Sequence, residues 1–60
     1  MSEPVAWLCR WTDNGATYEL VVWATTIEAA RQQTRDHEAG PHAAVAARLA
    51  TQAEQGSPAA

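Results

Sequence analysis

The side chains of this 60-residue chain that could do acid–base, nucleophilic or metal chemistry are few: Cys9, Asp36, His37, Glu38 and His42. His37 and His42 flank Gly40-Pro41, and with only one cysteine they complete no compact zinc motif. Nothing in the sequence places a base beside Cys9 to activate its thiol, and the residue lies in an apolar, alternating segment, so it reads as a small, reduced core residue. Gly15, Gly40 and Gly56 are scattered, which excludes a glycine-rich phosphate loop. Asp36 and Glu38 read as solvated carboxylates near a helix end. The sequence therefore implies no enzyme, no metal and no cofactor.

Binding chemistry is the remaining possibility. Seven acids against four arginines give a net charge of −3, too acidic for a strongly basic nucleic-acid module. No apolar run is long enough to span a membrane. The start, Met1-Ser2-Glu3-Pro4, has an acid where a secretory signal carries base, and a lone cysteine can form no internal disulfide, so the expected compartment is the cytoplasm. Hydrophobic residues make up 47% of the chain, but half of these are alanine; three tryptophans and one tyrosine supply much of the missing bulk. A chain this short buries only about 60% of its unfolded surface. It holds one small domain, expected over residues 1–55, with 56–60 as a disordered tail.

The elements that must position any binding residues begin with a hairpin. Asn14-Gly15 is the strongest two-residue turn signal, because a type I′ turn needs positive φ at both central positions. Counted outward from it, Asp13 faces Ala16, Thr12 Thr17, Trp11 Tyr18, Arg10 Glu19, Cys9 Leu20, Leu8 Val21, Trp7 Val22, Ala6 Trp23 and Val5 Ala24. One face then carries Val5, Trp7, Cys9 and Trp11 against Ala24, Val22, Leu20 and Tyr18, and is expected to pack. The other pairs Arg10 with Glu19 and Thr12 with Thr17, both favourable across strands. A one-residue slip would put Glu19 on the apolar face.

Thr25 and Glu28 form the pattern of a capping box that starts a helix, ending near Ala39 with Gly40 as a left-handed terminator. Its inward stripe is Ile27, Ala30, Thr34 and His37, while Glu28, Arg31, Arg35 and Glu38 form a solvated face. For residues 41–55 a second helix is expected from Pro41, the alanine content and the stripe Val45, Ala46, Leu49, Ala53; the alternative is a third strand at 43–50, with Val45, Ala47 and Leu49 on one side. The fold class is thus α+β, an antiparallel hairpin packed on one helix and followed by a second helix, or ββαβ.

The segment Trp7-Leu8-Cys9-Arg10-Trp11-Thr12-Asp13-Asn14-Gly15, a second strand, and then Ala24-Thr25-Thr26-Ile27-Glu28-Ala29-Ala30 resembles the arm-binding domain of phage-type tyrosine recombinases over residues 5–35. That resemblance implies a twisted sheet placed in a DNA groove. Arg10 is the single base on this sheet, and no DNA-contacting residue is carried over. In length, acidity and lack of a catalytic set the chain is also similar to small phage and mobile-element inhibitors such as anti-CRISPR proteins.

At the open end of the hairpin the second face offers Ala6, Leu8, Val21 and Trp23, which one helix on the first face cannot cover, and both strands are edges. The expected function is a non-enzymatic protein-binding module, an inhibitor or accessory factor of a phage or mobile element. It would dock on another protein or on itself through Leu8, Val21 and Trp23, with Arg10 and Glu19 setting register. The alternative is a small nucleic-acid-binding module using Arg10, Trp11, Arg31 and Arg35.

Overall fold

Asn14 (φ 50°) and Gly15 (φ 81°) both take the positive φ that a two-residue turn requires, and everything outward of them follows in step. In the computed structural model, which describes residues 3–55, strand β1 (Val5–Asp13) pairs antiparallel with β2 (Ala16–Ala24). All nine opposed pairs counted from the turn are present, from Asp13 against Ala16 to Val5 against Ala24. The expected side-chain pairs form too: Trp11 stacks on Tyr18 with ring centroids 5.7 Å apart, and Thr12 Oγ1 lies 3.4 Å from Thr17 Oγ1.

Helix α1 (Ile27–Thr34) starts one residue later than expected. Thr26, not Thr25, is the cap: its hydroxyl accepts from the Ala29 amide at 3.1 Å. Glu28 therefore falls inside the first turn and pairs with Arg31 at 3.0 Å rather than closing a capping box. The helix widens into a π turn over Arg35–Ala39, where the Gly40 amide donates back to Arg35 O at 3.0 Å. This winding breaks the three-and-four spacing of the inward stripe. Ala30 and Thr34 are buried and Ile27 half-buried, but His37 is exposed. Gly40 ends the helix at φ 101°, ψ 155°, a region open essentially to glycine, rather than as an αL cap. A turn follows with Pro41 at its second position, closed by Ala43 N–H donating to Gly40 O at 3.2 Å.

Residues 41–55 follow the alternative, a third strand within 43–50, and not the long second helix. Strand β3 (Ala46–Leu49) pairs antiparallel with the free side of β1, giving the order β2-β1-β3, and the helical part shrinks to one turn, α2 (Gln52–Gln55). Alanine is a poor strand former, but a two-stranded ribbon is marginal alone and gains from a third member. The chain is led into the strand by Val45, which is buried and whose carbonyl accepts from Arg31 Nε at 3.0 Å.

The sheet divides two cores. On the α1 side, Cys9, Trp11, Val22 and Ala24 pack with Ala30 and Val45; on the other, Ala6 and Leu8 pack with Ala50 and half-buried Val21. Ala30 has no exposed surface, and its carbonyl accepts from Thr34 Oγ1 at 2.8 Å and from Cys9 Sγ at 3.9 Å, so the helix lies directly on the sheet. Trp7 satisfies its indole N–H on Ala24 O at 2.9 Å. Leu20, expected in the packed face, is 36% exposed, and Tyr18 is 46% exposed, because α1 does not reach that flank. The tail expected at 56–60 lies outside the described residues.

Close approach at Ala30 makes a direct prediction. Ala30→Leu should lower stability by about 1–3 kcal/mol through overpacking, seen as a fall in the urea midpoint; an unchanged midpoint would mean that the helix is not held against Cys9.

Candidate docking surface

Antiparallel pairing alternates residues that exchange main-chain hydrogen bonds with residues that turn those groups outward. The two-residue turn makes Asp13 and Ala16 a bonded pair, so Tyr18, Leu20, Val22 and Ala24 also bond to β1. The same parity holds on the other side of β1, where Ala50 N–H donates to Ala6 O at 3.0 Å. The N–H and C=O groups of Thr17, Glu19, Val21 and Trp23 therefore face away from the sheet. Among the described residues no main-chain group pairs with them.

Side chains of these four residues rise on the face opposite α1. Trp23 is 55% exposed beside Ala6, Val21 stands beside Leu8, and Glu19 beside Arg10. Arg10 donates through Nε at 2.9 Å and Nη2 at 2.5 Å to the same Glu19 oxygen, so β2's one charged side chain is already neutralised within its own hairpin. Leu8 is a correction to the expected anchor set. At 7% exposure it is covered by Ala50 and cannot reach a partner, because the chain after β3 folds over this part of the sheet. The structure keeps Val21, Trp23, Arg10 and Glu19 along one strip and places Leu8 beneath it.

Directly after Ala50, which covers Leu8, stands a small polar device at the start of α2. Thr51 N–H donates to Glu54 Oε1 at 2.8 Å, and Glu54 N–H donates to Thr51 Oγ1 at 3.2 Å, a reciprocal capping box. Arg48 clamps the same carboxylate bidentately, Nη1 to Oε1 at 2.9 Å and Nη2 to Oε2 at 2.7 Å. Hydrogen bonds from Arg48 and from the Thr51 backbone hold the Glu54 carboxyl down from 4.5 to about 2, and Glu54 in turn raises Arg48. The pattern Thr51-Gln52-Ala53-Glu54 stood in the sequence as the signal for this short turn, and nothing in periodicity marked Arg48 as its partner.

Two surface depressions, about 200 Å³ lined by Leu8, Arg10, Ala46 and Arg48 and about 270 Å³ lined by Trp11, Asp13, Tyr18 and Glu38, are smaller than usual small-molecule sites. Among the described residues no three His, Cys, Asp or Glu side chains stand where they could hold a metal ion, and no helix is long and apolar enough to cross a membrane. No protein-family model matches the chain, nor does any curated protein or solved structure.

Glu54 gives this surface a pH signature. Its folded-state pKa is depressed, so the ionised group adds stability above about pH 4.5, and that contribution is lost as pH falls toward 2. The Glu54 carboxyl carbon should titrate with a midpoint near 2, with faster exchange of the Thr51 amide in the same range, and Arg48→Gln should move the midpoint upward. A midpoint of 4.5 in the unmodified chain would show that the clamp does not form.

Proposed function

We propose that this chain is a small non-enzymatic protein-binding module that docks by adding its β2 edge to a partner's strand, with Trp23 as the anchor. The supporting observation is the edge itself: nine residues long, with one compensated charge and no proline, and flanked by a tryptophan more than half exposed. Natural sheets usually blunt such an edge with charges, proline or a bulge. In strand addition, main-chain hydrogen bonds supply affinity and alternate side chains supply specificity; here Val21 and Trp23 would bear on the partner while the Arg10–Glu19 pair marks the register. The net charge of −3 and the similarity to small phage and mobile-element inhibitors support a role as an inhibitor or accessory factor.

The arginines weigh against nucleic acid as the partner. Arg10, Arg31 and Arg48 are each engaged by a carboxylate, which leaves Arg35, bonded to Gln32 at 3.5 Å, as the one arginine in no ion pair among the described residues. Phosphate neutralisation dominates nucleic-acid affinity and needs free cations. Trp23→Asp should leave the circular dichroism spectrum unchanged and remove the proteins that the unmodified chain captures from lysate. Capture unaffected by the change, or tight binding of duplex DNA that weakens steeply with salt, would refute the docking reading.

A further inference from the structure

We infer that a second copy of this chain occupies the β2 edge in the absence of a partner, joining two three-stranded sheets into one of six strands across a two-fold axis at Leu20. The inference rests on reading that edge as the docking surface and names its resting occupant. Among the described residues of β2, only Thr17, Glu19, Val21 and Trp23 turn their main-chain groups away from β1, so two β2 strands can be matched only in steps of two residues. One antiparallel match uses the whole strand: Ala16 faces Ala24 of the second copy, Thr17 faces Trp23, Tyr18 faces Val22, Glu19 faces Val21, and Leu20 faces Leu20. Shifted one step, Glu19 would meet Glu19, and like charges directly opposite destabilise. Shifted the other way, the strands overhang and Trp23 lands on the Arg10–Glu19 ion pair.

The full-length match also suits the surface. Helix α1 touches all three strands, and on β2 it packs with Val22 and Ala24 while leaving Tyr18 and Leu20 uncovered on its own side. A two-fold axis perpendicular to the sheet keeps both helices on one side, and the four uncovered side chains fill the space between them. On the opposite side each Trp23 covers the neighbouring copy's Thr17. In this match each Glu19 stands opposite Val21 of the second copy and not opposite the other Glu19, and each is paired with its own Arg10. The contact runs about 30 Å at roughly 3.4 Å per residue, small for a specific interface, so the dimer is weak and exchanges with monomer.

The test uses the full chain. Sedimentation velocity should show a reversible monomer–dimer equilibrium in the micromolar range, and Val21→Pro should abolish the dimer while keeping the monomer's circular dichroism, since that N–H faces away from β1. Leu20 in a non-hydrogen-bonded pair lies about 4.5 Å from its counterpart between Cα atoms, within disulfide reach. In a Cys9→Ala background, which removes the thiol opposite Leu20 on β1, Leu20→Cys should cross-link readily under mild oxidation, and Leu49→Cys on the other edge should not. In the unaltered sequence, an isotope-filtered contact between Leu20 methyl groups of labelled and unlabelled copies should appear. A strict monomer at millimolar concentration, or a dimer that cross-links through Leu49 and not Leu20, overturns the inference. If either result is found while Trp23→Asp still loses its captured partner, the docking reading stands without the dimer.

Discussion

Positive φ at Asn14 and Gly15 is the constraint on which the rest depends. With a side-chain period of two, moving β2 by one residue against β1 would exchange the two faces of β2. Val22 would lose the helix, and Glu19 would enter the core beside Cys9. The turn is reinforced away from itself by chemistry that works only in this register: the Arg10–Glu19 ion pair, the Thr12–Thr17 contact and the Trp11–Tyr18 stack. It also fixes which main-chain groups of β1 remain for a third strand. Because β1 spends its odd-numbered residues on β2, the main-chain groups of Ala6, Leu8 and Arg10 are left for β3 and for Ala50.

A chain whose hydrophobic residues are half alanine solves its packing problem by distance instead of bulk. The helix presents Ala30 and Thr34 to the sheet, which lets its backbone come close enough for Ala30 O to accept from Cys9 Sγ. Thr34 is buried without cost to satisfaction because its hydroxyl bonds back to the same carbonyl. Trp7 likewise meets its polar requirement on Ala24 O. Large side chains on the sheet and small ones on the helix give a body only 16 Å across its shortest dimension. The same economy leaves the flanks of the sheet bare, since a single eight-residue helix cannot cover three strands.

Legibility followed the range of the interactions. The hairpin could be counted residue by residue because its turn, its ion pair and its apolar alternation all lie within twenty residues and agree. The capping-box pattern points to Thr25, one residue early, because Thr25 and Thr26 are adjacent hydroxyls that only the Ala29 amide distinguishes. The π turn has no compositional mark, and it is what removed His37 from the stripe. Residues 46–49 read both ways: Ala-Ala-Arg-Leu is good helix material, the alternation of Val45, Ala47 and Leu49 also allows the third strand at 43–50, and the free side of β1 decides for the strand. Leu8 was misassigned for the same reason. Its partner Ala50 arrives from forty residues away, beside a Thr51–Glu54 box and an Arg48 clamp that follow from the strand reading of residues 43–50 and not from the helix reading.

The two edges of the sheet are treated very differently, and this asymmetry carries the functional argument. β3 is four residues long, bears Arg48 and runs directly into a capped helical turn, so it offers little for another strand to join. β2 is nine residues long, regular and nearly free of net charge on its side chains. An unprotected edge of this kind invites association in any folded protein, and protecting it would take no more than a lysine at Val21 or Thr17, neither of which is needed to fill the α1-side core. Specificity at an open edge requires that some matches be worse than others. Glu19 supplies that discrimination: it tolerates an apolar neighbour while paired with Arg10, and it rejects another carboxylate placed directly across from it.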